Sequence, residues 1–135
     1  MDNVLLFRGE SRFLFRGKND MGYNNTGWII GYFWINHGGN PVISTDRHYG
    51  SCSYLVQEDT VGQCTGLYDK NGEMIFEGDI LEDCDTGKIF ELKYQKLGYA
   101  FKNKNGHFSY FSRFNAIDDM KIIGNIHDNP ELMED

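Results

Sequence analysis

The sequence predicts a mainly β protein: a small barrel, or two curled antiparallel sheets of eight to ten short strands, with a short C-terminal helical turn. Three observations predict it. Apolar residues alternate with polar ones at period two, and helical spacing is nearly absent. Gly and Asx clusters interrupt these runs at strand-length intervals. Aromatics make up 15% of the chain and favour strands, while 16 Gly against two Pro supply turns without removing ladder donors.

Taken along the chain, residues 17–27 are rich in Asn and Gly and predict a loop. Trp28-Ile29-Ile30-Gly31-Tyr32-Phe33-Trp34-Ile35 is apolar on both faces, so it reads as a strand covered on both sides in the middle of the fold. His37-Gly38-Gly39-Asn40-Pro41 closes it. Asp69-Lys70-Asn71-Gly72 predicts a type I′ hairpin turn at Asn-Gly, and Lys104-Asn105-Gly106 repeats that chemistry. Asp85-Thr86-Gly87 and Gly98 mark two further turns. Phe90, Leu92 and Tyr94 share one side of a strand whose other side carries Glu91, Lys93 and Gln95. Tyr99 and Phe101, then Phe108 and Tyr110, repeat the alternation. Met120 to Ile126 is a last strand with a bulge-prone Gly124, and Asn129-Pro130 predicts a capped helical turn.

Length bounds the organisation. A chain of 135 residues fits a single β domain over 1–135, or two small lobes sharing a core. At this size a chain buries about 68% of its unfolded surface and needs neither disulfide nor structural metal. The apolar run at the N-terminus ends at Arg8, too short for a secretory signal. No stretch approaches the ~20 apolar residues that span a bilayer. The expectation is therefore a cytoplasmic protein whose Cys52, Cys64 and Cys84 are reduced thiols used for packing.

The net charge of −7 is unevenly spread. Residues 58–85 sum to −8 and residues 118–135 to −5, whereas residues 86–117 sum to +5. Such a partition gives either an acidic and a basic face or neighbouring strands that neutralise one another.

Catalytic and metal constellations are not visible. There is no Gly-x-Ser-x-Gly elbow and no C-x-x-C. His37, His48, His107 and His127 lack metal spacing, so no metal and no cofactor is expected. Glu82-Asp83-Cys84-Asp85 has neither the Gly nor the terminal Glu of a calcium loop. A hydrolytic or nucleotide-directed enzyme would have to be built on Asp69, Glu77 and Asp79. The simpler reading of Asp79, after Gly78, is turn chemistry: its carboxylate accepts backbone hydrogen bonds at the corner into the next strand. Basic and aromatic residues interleave between 88 and 114, as in small β-barrels that stack single strands. Lys88, Lys93, Lys102, Tyr99, Phe101 and Arg113 are the candidates for that role. Alternation offers the plainer account, with rings in and lysines out.

Three segments together resemble the YopX family of small phage and prophage proteins. They are Phe15-Arg16-Gly17-Lys18 with Gly27 to Tyr32, the long stretch Glu58 to Ile80, and Ile122 to Leu132. The middle segment is the most specific, and the likeness runs over essentially the whole chain. Cys64 stands where the family pattern usually has Tyr, and Phe7-Arg8-Gly9-Glu10 is an imperfect copy of Phe15-Arg16-Gly17-Lys18. The resemblance implies a mostly β fold expressed in a bacterial cytoplasm, and it brings no catalytic residue. Gly62, Gln63, Thr65, Gly66, Asp69, Asn71, Gly72, Gly78 and Asp79 carry over as a signature that reads as architecture. The functional expectation is a non-catalytic module that binds a host or phage protein. The alternative is a single-stranded nucleic-acid binder using strands 88–114. Nothing selects an oligomeric state, and self-association remains open.

Overall fold

The computed structural model describes residues 6–12, 27–47, 50–95, 98–110 and 118–134. The predicted loop up to residue 26 and Arg113 lie outside the described residues. The described residues form eleven strands: β1 (Phe7–Glu10), β2 (Trp28–Ile35), β3 (Pro41–Arg47), β4 (Gly50–Leu55), β5 (Gly62–Tyr68), β6 (Met74–Phe76), β7 (Asp79–Asp83), β8 (Ile89–Gln95), β9 (Gly98–Lys102), β10 (Phe108–Tyr110) and β11 (Met120–Asn125). They make two antiparallel sheets, ordered β4-β3-β2-β1-β5-β6 and β10-β9-β8-β7-β11, and neither closes into a barrel. Two 3₁₀ turns, Glu58–Thr60 and Pro130–Met133, accompany them. The chain divides into two compact units, residues 1–63 and 64–135.

In the first unit β1 pairs with β2 along its length and with Gly62 and Gln63 of β5. Ile29, Ile43, Tyr54 and Val56 form the core, and Phe7, Phe33 and Val61 pack against it. Phe7 and Phe33 meet as tilted rings 5.5 Å apart. Gly9 is needed for this closeness, because a Cβ there would lie 3.1 Å from both Ile43 and Val56. Thr60 ties its 3₁₀ turn to β1: its hydroxyl accepts from the Glu10 N–H at 2.8 Å and donates to the Gln57 carbonyl at 2.6 Å.

In the second unit Ile75, Leu81, Leu92, Phe101 and Met120 form the core, with Leu67, Phe90, Tyr99 and Ile122 beside them. The expected bulge is present, with Ile122 opposite Leu81 but Gly124 opposite Ile80. The expected cap is not. Asn129 makes no side-chain cap on the final turn; its Oδ1 accepts from the Asn125 N–H at 3.3 Å instead. A Cβ on Gly124 would meet that Oδ1 at 2.5 Å and Leu132 at 3.0 Å. The bare backbone at Gly124 lets the C-terminal turn close over β11.

Four hairpins share one device. Each opens on an Asx residue whose Oδ1 accepts backbone N–H groups inside the turn, and each ends on a Gly with positive φ. Asn36 accepts from Gly38 and Asn40, with Gly39 at φ 80°. Asp69 accepts from Asn71 and Glu73, with Gly72 at φ 81°. Asn103 accepts from Asn105 and His107, with Gly106 at φ 88°. Asp83 accepts from Asp85 in a turn one residue longer, with Gly87 at φ 75°. The type I′ turn expected at Asn71-Gly72 does not form, since that type needs positive φ at both central residues and no described non-glycine residue has it. The Asx residue three positions before the Gly does the work.

Asp69 does one thing more. Its second oxygen accepts from the Ile122 N–H at 2.9 Å, and the neighbouring Lys70 N–H donates to the Met120 carbonyl at 2.8 Å. The side chain is 6% exposed. One buried carboxylate thus holds the β5–β6 turn closed and fastens it to β11. An amide cannot substitute, because one of its two terminal atoms is a donor. Asp69→Asn should cost about 1–3 kcal/mol, since it leaves the Ile122 N–H facing another N–H. The denaturant midpoint should fall with the slope unchanged. Asn103→Asp, in an exposed turn of the same design, is the control and should stay within about 0.5 kcal/mol; an Asp69→Asn loss no larger than the control's would refute the assignment.

Candidate functional site

The signature residues sit in β5, in the β5–β6 turn and at the corner into β7. Thr65 donates its hydroxyl to the Ile75 carbonyl at 2.8 Å and accepts from the Leu67 N–H at 3.0 Å. With Gly66 at φ 79° this makes the bulge by which Cys64 pairs with Phe76 but Tyr68 with Met74. Asn71 and Gly72 complete the turn closed by Asp69. Gly78, at φ 94°, receives the Ile126 N–H on its carbonyl and gives its own N–H to Leu92. Asp79 is buried and its Oδ2 accepts from the Phe76 N–H at 2.7 Å. Gly62 and Gln63 carry the pairing with β1. The third carboxylate of the enzyme reading, Glu77, accepts from the Tyr94 N–H at 3.4 Å. All three carboxylates point at backbone donors.

The first unit holds a surface the sequence reading did not anticipate. The residues expected to be covered on both sides are not: Ile30 is 45% exposed, Tyr32 44%, Trp34 45% and Ile35 52%. Register explains which side is open. Ile29 and Phe33 face the core, so Ile30, Tyr32 and Trp34 face away from it. Trp28, on the same side, is covered because the Arg8 guanidinium lies 5.0 Å from its ring centre. Trp34 is oriented by donating Nε1–H to the Ser44 hydroxyl at 2.8 Å, and Ser44 is in turn 2.7 Å from Ser53. The outcome is a stripe of large apolar side chains with an arginine at one flank and paired serines at the other. Alternation within the run marks the two faces; which face stays open depends on the cross-strand neighbours, and the run itself is silent on that.

The basic and aromatic strands divide by face. Leu92 pairs with Phe101, and both are in the core. Lys93 opposite Ala100, and Lys102 between Glu91 and Phe108, take the other face. Glu91 is buried there and Phe108 is exposed. Lys88 is exposed in the turn before β8. Tyr94, exposed, meets half-buried Tyr99 edge-on at 5.1 Å. Phe101 is therefore scaffold, while Lys93, Lys102 and Phe108 share a surface.

The described residues contain no group of three or more His, Cys, Asp or Glu arranged to hold a metal ion. Cys64 is half-buried, whereas Cys84 is exposed, against the expectation of a packing thiol: the β7–β8 turn carries it out of the sheet. No described helix is long and apolar enough to cross a membrane. The Asp85 carboxyl is raised above the ordinary range by a hydrogen bond to Asp119 and by repulsion from it.

Tyr99 has a sealed hydroxyl oxygen with no hydrogen-bond partner among the described residues. Burial, then the charges of Glu77, Cys64 and Tyr94, push its phenol up to about 12. The folded state therefore holds this proton more tightly than the unfolded state, so stability falls as pH rises from about 10 through about 12. A tyrosinate absorbance step near pH 12 should vanish in Tyr99→Phe. At neutral pH that variant should match or slightly exceed the parent in thermal stability, because it removes an unpaired buried hydroxyl. A clear loss of stability would show that the hydroxyl has a partner.

The fold has a solved counterpart. The crystal structure of protein EF1440 from Enterococcus faecalis superposes with a TM-score of 0.54 over 97% of this chain and 99% of that one, at 20% sequence identity. No curated protein matches the chain. The family model described as YopX protein matches residues 14–134. That match takes in the β5 bulge, the Asp69 turn, the Gly78-Asp79 corner and the C-terminal turn, and the chain belongs to the YopX family.

Proposed function

We propose that the protein is a non-catalytic interaction module, acting in the cytoplasm of a bacterial host, that docks a host or phage protein on the open face of β2. The single observation supporting this reading is the exposure of Ile30, Tyr32 and Trp34 side by side on the face of β2 turned away from the core. Exposed apolar side chains occurring singly need no explanation, but a stripe of three on one face of a strand does. Its composition is that of an interface centre: Tyr and Trp at the middle, an Arg at the edge and hydroxyls at the rim. The rigid β backbone and the Trp34–Ser44–Ser53 chain hold the rings in place before a partner arrives, which lowers the ordering cost of binding. The partner's matching surface is correspondingly apolar.

A single-stranded nucleic-acid binder on strands 88–114 stands second. Lys93, Lys102 and Phe108 on one face favour it. Glu91 on that face, and Phe101 in the core, weigh against it. Loss of filter retention at low salt on Lys93→Glu and Lys102→Glu would move it to first place.

Tagged protein should capture a defined protein from host lysate. Tyr32→Glu and Trp34→Ser should reduce that capture by about tenfold or more, the scale of an interface hot spot. Tyr94→Ser, an exposed ring in the second unit, should leave it unchanged. Equal capture by all variants would refute the assignment. A purified chain that dimerises, and loses the dimer with Tyr32→Glu, would reassign the face to self-association.

A further inference from the structure

The five-stranded sheet ends, on one side, in two neighbouring turns: Asp83 to Lys88 between β7 and β8, and Asn103 to His107 between β9 and β10. Between them lies a cavity of about 510 Å³, within the size range of small-molecule sites. Its walls are Lys88 from the first turn and Asn103, Lys104 and Asn105 from the second, with Ile89 and Phe90 contributing apolar surface. Among the described residues no carboxylate lines it.

That composition is unexpected for a chain of net charge −7, and the pairing of the first turn's acids accounts for it. Glu82 reaches across to Lys121 on β11, with 3.6 Å between charged atoms. Asp85 hydrogen-bonds Asp119, just before β11. Asp83 spends one oxygen on the Asp85 N–H. Glu82 and Asp85 are thus engaged toward β11, Asp83 is spent within its own turn, and Lys88 and Lys104 are among the residues that line the cavity. The two turns are also stiff, each braced by its Asx residue and its positive-φ Gly. Phe90 is backed by the tilted Phe101 ring at 5.6 Å, so it is a fixed surface rather than a loose side chain.

We propose that this cavity is a binding site for a nucleotide, its phosphate held by Lys88 and Lys104 and its base set against Phe90. Two ammonium groups without a competing carboxylate select an anion. An aromatic side chain in the lining favours a ligand with a π-face, and stacking of a base on such a ring is the usual way this pairing is used. Asn103 and Asn105 add amide groups able to donate or accept at the rim. The ligand is either a free nucleotide or the phosphorylated 5′ end of a strand, since both present the same phosphate beside one base. The site is in the second unit and does not depend on the β2 docking face.

Calorimetric titration of the whole chain at about 50 mM salt, where phosphate contacts are least screened, tests this. The probes are AMP, UMP, adenosine, inorganic phosphate, and a short oligonucleotide with a 5′-phosphate or a 5′-hydroxyl. AMP or UMP, or the 5′-phosphorylated oligonucleotide, should saturate a single site. Adenosine and inorganic phosphate should bind at least about tenfold more weakly, because each supplies half of the contacts. Lys88→Gln with Lys104→Gln, both exposed and safe for folding, should weaken the nucleotide by at least about tenfold while leaving β2-dependent protein capture intact. Binding of AMP and the phosphorylated oligonucleotide alike identifies a free-nucleotide site, and binding of the oligonucleotide alone identifies a strand-end site. Absence of saturable binding by every phosphorylated probe, adenosine binding as well as AMP, or indifference to the double substitution would each overturn the proposal.

Discussion

The Asp69 carboxylate takes three backbone N–H groups from two separate stretches of chain, two within its own turn and one from Ile122 on β11. These strands are far apart in sequence, and nothing covalent brings them together. An isolated two-stranded hairpin is marginal in water, and the third bond, with the Lys70 N–H to Met120 bond and the burial of Ile75, ties this one to the rest of its unit. The hairpin's turn is thereby fixed against an edge strand of the five-stranded sheet, beside the Ile75–Leu81–Met120 core. The bulge at Thr65-Gly66 and the corner at Gly78-Asp79 then follow as geometry. The bulge changes the register between β5 and β6, and the corner redirects the chain into β7.

Fold class and most turn positions were legible because alternation and Gly–Asx punctuation are local signals, while the eight to ten strands expected fall short of the eleven described. The turn type was not. Asn71-Gly72 looks like a two-residue hairpin turn, but a Gly three residues after an Asx outranks it, and that spacing recurs at Asn36, Asp69 and Asn103. The pattern was available in the sequence and needed only to be read over four residues instead of two. β3 and β4 carry weak signals for a different reason. Ser, Thr, Gly and Asp dilute their apolar residues, and Ile43 and Tyr54 become core only through pairing with β2 and with each other. Asn129 was misjudged because Asn is ambivalent: the same oxygen that caps a helix can reach back to a preceding strand, and Gly124 leaves room for it to do so.

The candidate sites were least legible, since both depend on what neighbouring strands leave uncovered. Trp28 and Trp34 have the same chemistry and lie on the same side of β2, yet one is buried under Arg8 and the other is 45% exposed. The distinction is made by β1, which runs beside Trp28 and Ile30 and extends no further than Gly31. Likewise the +5 sum over residues 86–117 describes no surface by itself. Lys88 and Lys104, sixteen residues apart in sequence, become neighbours because β8 and β9 run antiparallel and bring their turns to one end of the sheet.

This division separates the residues of the signature from the surfaces open to a partner. A carboxylate filled by backbone donors has little capacity left for a ligand, and Asp69 is of that kind; Asp79, buried and bonded to the Phe76 N–H, is closed to a ligand by its burial. On the expectation that substituting them costs stability, the signature reads as architecture that holds the strands together. The exposed side chains on the outer face of β2 and at the rims of the turns are where a change costs little stability and the backbone stays the same. Function on such a scaffold varies without disturbing the bulge, the turn or the corner, and it has to be argued from the open surfaces of each chain rather than from the residues the family shares.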